Sequence, residues 1–520
     1  MKPKSELLLV LALFAAGLAL RLPFGSAYLY DHDSFLFARA AERYDLRLGQ
    51  PHPPGYLFYV FLGKWLSPNH DFNRGFLILG ALSAGLMASS LFLLGRSIFG
   101  PAAGLGAAAA SLFSPLMWFY GDIALSYAPD GAITVVLALA CWKTLKGRPS
   151  AAYASAILIG LAGGFRAWTV PFTLPLWFYC VRRQPARHVL LAGVAAGLAC
   201  LTWLLPNVYL SGGPSTYFDI VSRYNVGLRR EAAVHMTLRG EWTALCLTAN
   251  WMWWALGPAG LAATAFLVWA TVAATRGTSP PGRECAIFLL LWIAPPFLFR
   301  LLVHSTSPGY TLSFVPGFAL LAGGAVASGA RALARPLPRT RCASSVRFLR
   351  LALVGGFWAA YGVWGSVTYL TAPAGFTWPT IAANNSALRE RLEAIRHQFP
   401  PEETVVLAAQ WAAHAKYYLP DYRVIDSDFE PGLRAFGPDL SDTARRAYRA
   451  VFFDYKVLEA YQGPRQAMWT ITLPTGLLLH VLPIPAGSVL KQEPGRFWIE
   501  PARPSPPLGQ VSDAAATSER

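Results

Sequence analysis

The sequence predicts an all-α polytopic membrane protein with about eleven transmembrane helices and a small C-terminal extracytoplasmic α/β domain. Of its 520 residues, 54% are hydrophobic and only 14% are charged, whereas soluble domains carry about 25% charged residues. Apolar runs of about 18 residues or more recur along the chain, and each is long enough to cross about 30 Å of hydrocarbon. A soluble core cannot absorb so many apolar residues, so lipid must cover them.

The first apolar run, residues 7–22, follows the basic start Met-Lys-Pro-Lys. Gly25-Ser26-Ala27 would be a passable signal-peptidase site, but the run continues to Pro23 and carboxylates follow soon after. These features favour a retained signal anchor over a cleaved signal peptide. The other spans are predicted at 74–95, 101–119, 128–145, 150–166, 168–181, 188–210, 243–275, 284–303, 310–330 and 351–371. Span 243–275 is too long for one perpendicular crossing.

The charges predict the orientation. With the N-terminus in the cytosol, the inner loops collect seventeen Lys and Arg residues and only two acids, Glu6 and Glu284, which agrees with the positive-inside rule. Every carboxylate between residues 7 and 283 then lies on the outer side, which indicates a working outer face. The net charge of +16 is therefore a topology signal whose partner is the anionic bilayer surface, and no nucleic-acid partner is predicted.

Three segments follow from composition: a membrane body at 1–371, an extracytoplasmic α/β domain at 372–500, and a Pro-, Ser- and Ala-rich tail at 501–520 that is expected to be disordered. The second segment shows β-α-β patterning. Its elements are predicted at 404–409 (strand), 411–418 (helix), 422–425 (strand) and 450–453 (strand). The six cysteines lie in or beside the apolar spans, so neither a disulfide framework nor a zinc spacing is predicted.

The first outer loop, residues 23–73, contains the most informative motif. Asp31-His32-Asp33 comes soon after the first span, an amphipathic stretch at 35–48 is typical of an interfacial helix, and residues 50–56 read Gln-Pro-His-Pro-Pro-Gly-Tyr. Low dielectric at the hydrocarbon edge should raise the pKa of both carboxyl groups and make them better bases. One Asp could instead cap the following helix. Two acids flanking a histidine exceed what a cap needs.

This combination resembles the GT-C superfamily of membrane glycosyltransferases, in particular the branch of protein O-mannosyltransferases and bacterial lipid A sugar transferases. The resemblance covers residues 5–370, and segment 50–56 with its His52 and Tyr56 is the strongest match. It implies a polyprenyl-phosphate sugar donor, an inverting transfer, and Asp33 as general base with Asp31 as its neighbour. His32 stands where many relatives have a second acid, which leaves the division of roles open.

The next outer loop carries a second acidic position of the family. Asp122 fits it by its Trp and Tyr context, and Asp130 fits it by its spacing to the following span. Either could face the first-loop acids across a cleft and orient the substrates. The alternatives are an N-cap for Asp130 and ordinary loop solvation for Asp122.

Cations form the third set of candidates. Arg166 lies at the outer end of the fifth span, and Arg300 and His304 lie in and just beyond the ninth. Cations inside a membrane are costly and are typical of functional sites, and negative charge grows on a phosphate leaving group as the glycosyl bond breaks. These residues, or the pair Arg229 and Arg230, are predicted to bind the lipid phosphate. The alternative is snorkelling to headgroups.

The function predicted is transfer of a hexosyl or pentosyl unit to a lipid, glycan or protein acceptor at the outer face, in a bacterial inner membrane. A carboxylate-rich site would suit Mg²⁺ or Mn²⁺, although nothing in the sequence demands a metal. A surface-polysaccharide ligase or polymerase is the alternative enzyme. A secondary transporter is the alternative outside enzymes, but transporter sites lie near the bilayer midplane, whereas these acids cluster at the outer interface.

Overall fold

The computed structural model of the chain describes residues 2–235, 237–275, 282–304, 307–333, 343–426, 448–485, 488–493 and 496–500. The chain divides into two units, Met1–Ala383 and Asn384–Arg520. The predicted tail at 501–520 lies outside the described residues.

The first unit is built of helices. In chain order they are α1 (Pro3–Ala19), α2 (His32–Glu42), α3 (Leu57–Trp65), α4 (Phe72–Phe99), α5 (Pro101–Leu112), α6 (Pro115–Gly121), α7 (Tyr127–Leu145), α8 (Pro149–Ala162), α9 (Thr169–Val181), α10 (Ala186–Leu210), α11 (Pro214–His235), α12 (Leu238–Thr275), α13 (Arg283–Leu302), α14 (Val315–Leu333) and α15 (Ala343–Thr371). Helix α16 (Trp378–Gln398) follows and continues into the second unit. Each predicted span coincides with one of these helices, except that 101–119 is divided between α5 and α6.

Among the described residues, seven helices are long and apolar enough to cross a membrane, and an eighth span results if α5 and α6, bent by 59°, are counted as one broken crossing. Helices α8 and α9 are apolar but shorter. The protein is therefore an integral membrane protein, as predicted, and the number of eleven spans stays a prediction.

Two breaks in these helices have local causes. Ser114 caps α6 by accepting a hydrogen bond from the Met117 amide at 3.2 Å, and Pro115 occupies the first helical position, so α5 cannot continue into α6. Helix α12 bends at Gly257, whose φ of 45° is left-handed. A Cβ there would lie 2.2 Å from the Trp364 ring. Because of this bend, the long predicted span 243–275 does not cross the membrane as one straight helix.

The outer loops are more helical than the sequence predicted. Helix α2 begins at His32 and ends at Glu42, six residues before the predicted end at 48, and α3 follows within the same loop. The segment between the predicted spans 188–210 and 243–275, which the sequence predicts to be a long outer loop, is largely the amphipathic helix α11. Its Tyr217 is buried and donates a hydrogen bond to the Pro54 carbonyl at 3.0 Å. An apolar face that packs on the first loop makes this segment helical.

Small residues allow the helices that support the first loop to pack closely. A Cβ at Gly17 of α1 would lie 2.4 Å from the Gly85 backbone of α4, so these helices touch through their backbones, as membrane helices commonly do. Helix α4 also contacts α3, α5 and α7. This packing fixes the positions of the ends of α1 and α7 and of the helices of the first loop relative to one another.

The second unit contains the predicted β-α-β pattern. Its elements are β1 (Thr404–Ala408), α17 (Ala412–Tyr418), β2 (Arg423–Asp426), β3 (Tyr448–Phe452), α18 (Tyr455–Ala460), β4 (Trp469–Thr472), β5 (Leu478–Ile484), β6 (Val489–Glu493) and β7 (Arg496–Glu500). The main sheet has the order β2-β1-β3-β5-β4, in which β2, β1 and β3 are parallel and β5 and β4 are antiparallel additions. Strands β6 and β7 form a separate hairpin. Alternate residues of the main sheet, such as Val405, Leu407, Ala450 and Phe452, form the hydrophobic core of the second unit.

Candidate active site

A cavity of about 560 Å³ lies within the first unit, where the first outer loop meets the start of α7. Aromatic side chains dominate its wall, and two carboxylates, two histidines and one arginine interrupt them. The lining residues are Tyr30, Asp31, Asp33, Phe37, His52, Tyr56, Phe119, Tyr120, Ile123, Leu125, Ser126, Tyr127, Arg166, Tyr224, His304, Ser307, Pro308, Tyr310, Gly375 and Phe376. The structure thus brings Asp31, Asp33, His52, Tyr56, Arg166 and His304 of the predicted site residues together.

The two first-loop acids have different surroundings. Asp31 is the N-cap of α2: its Oδ1 accepts a hydrogen bond from the Asp33 amide at 3.1 Å, and the Ser34 hydroxyl accepts one from the Asp31 amide at 3.3 Å. Asp33 lies in the first turn, and 37% of its side chain is exposed. Asp31 therefore caps the helix, as the capping alternative predicted for one of the two acids, and both carboxylates line the cavity.

The carboxyl group of Asp31 is solvent-accessible, but protein atoms surround it in the concave wall. This partial desolvation raises the pKa of Asp31, and the nearby negative charge of Asp33 raises it further, while the Asp33 amide and the His32 ring act in the opposite direction. The sequence-based expectation of a raised carboxyl pKa at this motif is therefore met at Asp31.

His52 links segment 50–56 to the acids. Its Nε2 lies 2.9 Å from the Tyr56 hydroxyl, and its Nδ1 lies 3.7 Å from Asp33 Oδ1. Burial lowers the pKa of His52, although the charge of Asp33 opposes this shift, so the ring is predominantly neutral at pH 7. The ring also lies 6.0 Å from that of Tyr224 in α11. His52 and Tyr56 therefore form the wall beside the Asp33 carboxylate.

Arg166 supplies the positive charge of the cavity. It lies in the turn between α8 and α9, is 4% exposed, and its guanidinium sits 4.3 Å from the Tyr127 ring centre and 4.1 Å from the Tyr310 ring centre. Its Nη1 donates to the Ser126 hydroxyl at 3.3 Å. Two rings and a hydroxyl group position this cation in the cavity wall.

Asp130 lies behind Arg166 and does not line the cavity. It is buried in the first turn of α7, accepts a hydrogen bond from the Thr169 hydroxyl, and interacts electrostatically with Arg166. The Thr169 amide in turn donates to the Arg166 carbonyl at 3.0 Å. Asp130 is therefore positioned to hold in place the turn that carries Arg166.

Asp122 also lies outside the cavity wall, in a buried ion cluster formed by Arg21, Trp118, Asp122 and Tyr369. The Tyr369 hydroxyl donates to Asp122 Oδ2 at 2.5 Å, and Arg21 interacts electrostatically with the same carboxylate. The Arg21 guanidinium lies 4.9 Å from the Trp118 ring centre and donates to the Leu112 carbonyl at 3.0 Å. The sequence allowed two roles for Asp122, a substrate contact or ordinary loop solvation. Its buried position outside the cavity wall agrees with neither.

The remaining predicted cations are distributed differently. His304 lines the cavity, with its ring 4.4 Å from that of Tyr310. Arg300 is buried in α13, stacks on Trp251 at 4.0 Å, and is not among the lining residues. Arg229 and Arg230 belong to α11, but their side chains lie outside the described residues.

Sequence reasoning missed most of the aromatic wall. Tyr127 and Tyr310 belong to motifs whose charged residues were predicted to be functional. The high density of aromatic residues in both motifs is a signal that could have identified the two tyrosines. Phe376 comes from the segment after α15, and Tyr224 comes from a segment predicted to be a loop. Neither position has a local signal, because only the packing of distant segments brings them to the cavity.

Within the described ranges, no group of three or more His, Cys, Asp or Glu side chains is arranged to hold a metal ion. The carboxylates of Asp31 and Asp33 are adjacent, but the helix cap already engages the first. Asp31 and Asp33 are the carboxylates of the cavity wall that could hold Mg²⁺ or Mn²⁺ together with a substrate phosphate. The metal ion stays a prediction, and the mechanism proposed for the protein does not involve one.

Long apolar helices, helices folded into the first outer loop and a small α/β unit together define a membrane protein with the GT-C fold, as the sequence resemblance predicted. The chain is similar to the crystal structure of ArnT from Cupriavidus metallidurans bound to undecaprenyl phosphate, with 14% identity, a TM-score of 0.56, and coverage of 92% of this chain and 97% of that chain. The apo form of ArnT matches with 15% identity, a TM-score of 0.55, and coverage of 92% and 98%.

A third similar structure is the archaeal oligosaccharyltransferase AglB from Archaeoglobus fulgidus in complex with an inhibitory peptide and a dolichol-phosphate. It shows 12% identity and a TM-score of 0.51, and the match covers 91% of this chain and 74% of that chain. No protein-family model and no curated protein matches the sequence. At these identities the likeness establishes the fold.

Proposed function

We propose that this protein is a glycosyltransferase that moves a sugar from a polyprenyl-phosphate donor to a hydroxyl group of a lipid, glycan or protein acceptor. The observation that carries the proposal is the placement of an accessible carboxylate, Asp33, and a buried arginine, Arg166, in the wall of one aromatic cavity. The structures of similar fold were solved with undecaprenyl phosphate and with a dolichol-phosphate, which supports a lipid-phosphate donor.

In this mechanism Asp33 is the general base. Its carboxylate takes the proton of the acceptor hydroxyl while that oxygen forms a bond to the anomeric carbon of the donor. The bond between the anomeric carbon and the phosphate oxygen breaks, and its electron pair leaves with the polyprenyl phosphate. Attack from the face opposite the phosphate inverts the anomeric configuration. A base of this kind typically contributes a factor of about 10² to 10⁴.

Arg166 binds the phosphate and stabilises the charge that grows on it. A guanidinium offers several donors in a planar fork that suits phosphate oxygens, and the Ser126 hydroxyl fixes its orientation. Because the cation is buried and already positioned before the donor arrives, little reorganisation is needed as the bond breaks. The aromatic wall provides apolar ring faces against which a sugar can pack.

Neutral His52 keeps Asp33 and Tyr56 in place rather than carrying the proton. Burial lowers the pKa of His52, so at pH 7 its ring has one nitrogen that donates and one that accepts. Its hydrogen bond to Tyr56 and its approach to Asp33 position the base relative to the acceptor. The Lys and Arg distribution supports a position of this cavity at the outer face of the membrane, which in a bacterium is the periplasmic face of the inner membrane.

The test separates binding from chemistry. Purified protein is mixed with undecaprenyl phosphate, and binding is measured by native mass spectrometry. Transfer is measured as release of undecaprenyl phosphate from a panel of synthetic undecaprenyl-phosphate hexoses and pentoses in the presence of host membrane extract. We expect Asp33→Asn to bind undecaprenyl phosphate like the wild type and to transfer at least about 100-fold more slowly, whereas Arg166→Gln should lose both binding and transfer.

Glu42→Gln is the matched control, because Glu42 ends the same helix α2 and is exposed. It should leave both measurements unchanged. Normal transfer by Asp33→Asn would remove this residue as the base. Solute uptake into proteoliposomes without any release of undecaprenyl phosphate would replace the enzyme with a transporter.

A further inference from the structure

A second concave site lies at the other end of α7. It is a groove of about 390 Å³ between α7 and α8, called here the α7–α8 groove. Its lining residues are Val136, Leu139, Ala140, Lys143, Arg148, Ser150, Ala151 and Ala154. Lys143 lies about 24 Å further along α7 than the cavity residue Tyr127, at about 1.5 Å of rise per residue. The groove is therefore at the opposite membrane boundary from the candidate active site.

The groove has an apolar part and a positively charged part. Valine, leucine and alanine side chains form its floor on two membrane helices, so that part faces the acyl region of the bilayer. Lys143 and Arg148 lie at the polar end of the groove, and the Ser150 hydroxyl and the N-terminus of α8 lie beside them. An apolar trough that ends in two cations, a hydroxyl and a helix N-terminus fits an acyl chain joined to a phosphate.

The two cations are held close together by the backbone. Gly147 has a φ of 86° in the turn between the helices, and the Arg148 amide donates to the Lys143 carbonyl at 3.2 Å. The turn therefore brings two exposed basic residues to one position, rather than leaving them to spread separately along the membrane surface.

The neighbouring cations behave differently. Lys146 Nζ lies 3.3 Å from Glu284, and the guanidinium groups of Arg182 and Arg183 lie 3.7 and 2.5 Å from the same carboxylate. These three residues share one acid. Within the part of the chain that the structure describes, Lys143 and Arg148 have no such carboxylate partner. Lys143 and Arg148 therefore bring positive charge to the groove that no neighbouring acid in the described residues compensates.

We propose that the α7–α8 groove binds one anionic phospholipid of the facing leaflet, with its phosphate between Lys143 and Arg148 and an acyl chain along the alanine floor. Each basic residue near an anionic surface adds to lipid attraction, and the two together give a preference of roughly tenfold or more for an anionic over a zwitterionic headgroup. The site is separate from the candidate active site and does not depend on the proposed function.

The test uses the full-length protein, purified in detergent and washed until native mass spectrometry shows no bound lipid. Phosphatidylglycerol and phosphatidylcholine with identical acyl chains are then titrated. The wild type should bind one phosphatidylglycerol at least about tenfold more tightly than phosphatidylcholine. Lys143→Gln/Arg148→Gln should abolish that preference. Inorganic phosphate as competitor should not displace the lipid, because it lacks the acyl contact.

Three further variants make the result decisive. Lys2→Gln/Lys4→Gln removes two exposed charges at the start of α1 and should keep the wild-type preference. Lys143→Arg/Arg148→Lys keeps both charges and should keep binding, even if the glutamine variant does not fold. Ala154→Trp fills the floor of the groove and should weaken both lipids while leaving their ratio unchanged. Equal binding of the two lipids by the wild type, or unchanged preference in the glutamine variant, would overturn the proposal.

Discussion

The cavity and the buried ion cluster both place charged groups away from bulk water, but they treat them in opposite ways. In the cluster, Asp122 accepts from Tyr369 and faces Arg21, so acid and base are closed off together. In the cavity, Arg166 is held by aromatic rings and Asp33 keeps an exposed face. Acid and base are present in both places, but only the cavity leaves room between them for another molecule.

This difference separates the charges that hold the fold from those that can do chemistry. Removing one member of a buried pair of opposite charges costs several kcal/mol, because the other charge is left buried without compensation. Charges that face an aqueous cavity without neutralising one another are typical of functional sites. If the proposed function holds, the comparison predicts that Asp122 belongs to the framework of the second loop and that Asp33 acts in the reaction, and each prediction can be tested separately.

The largest effect on stability is expected at the cluster. Asp122→Ala leaves the Arg21 guanidinium buried without its acid and should lower the free energy of unfolding by about 3 to 5 kcal/mol. Denaturant unfolding in detergent micelles measures this change. The double variant Arg21→Met/Asp122→Leu removes both charges and should recover most of the loss. If that variant is stable and transfers sugar normally, Asp122 has no role in the reaction. If it is stable but inactive, the second-loop acid is catalytic after all.

The next largest effect is expected at the arginine of the cavity. Arg166→Lys keeps the charge but loses the planar fork and the stacking between Tyr127 and Tyr310. Transfer should fall by about 100-fold, and undecaprenyl phosphate should bind more weakly, with the chain still folded. Arg21→Lys is the matched substitution in the cluster. It should lower stability without changing donor affinity, and a loss of donor affinity there would contradict the division between the two regions.

A smaller effect tests the hydroxyl that closes the cluster. Tyr369→Phe removes one hydrogen bond to Asp122 and should destabilise the protein by about 1 kcal/mol. Tyr127→Phe is the control in the cavity wall, where the hydroxyl lies 2.8 Å from Ser307. We expect the first variant to lower the unfolding midpoint with normal transfer. An equal loss of transfer in both variants would indicate that the cluster and the cavity act as one unit.

The sequence predicted the helices well because hydrophobic length is a local property that the bilayer enforces. Spans 128–145 and 168–181 agree with α7 and α9 to within one residue at each end. The break at Ser114–Pro115 and the bend at Gly257 also have local causes, but a hydrophobic run alone does not show them. Helix α11 was predicted as a loop because its mixed polar sequence lacks the long apolar run that marks a membrane span.

The site was predictable where a motif carried the chemistry. The first-loop acids, His52 and Arg166 do meet in the cavity. Asp122 and Arg300 were chosen by the same reasoning, but the structure places them among Tyr369, Arg21 and Trp251, away from the cavity wall. The cost of a membrane charge shows that it needs a partner. Sequence alone does not show whether that partner is a substrate or a neighbouring side chain.

The smallest effect concerns the acid that caps α2. Asp31→Ser keeps a side-chain oxygen for the Asp33 amide, so the cap survives, but it removes a carboxyl whose pKa is raised by partial desolvation and by Asp33. A raised folded-state pKa gives stability that is full below the unfolded pKa and is lost as pH rises through the folded one. Relative to the wild type, Asp31→Ser should therefore become more stable as pH rises above the ordinary range of an Asp carboxyl, about pH 4.

Asp71→Ser is the matched control for that measurement. Asp71 caps α4 in the same way, accepting from the Arg74 amide at 3.1 Å, but it is exposed and away from the cavity. Thermal unfolding of both variants and the wild type across this pH range should show a pH-dependent gain at position 31 alone. The same profile at both positions would mean that the cavity does not desolvate Asp31. The proposed difference between Asp31, which caps α2, and Asp33, which is proposed to be the base, would then be supported only by observations on Asp33.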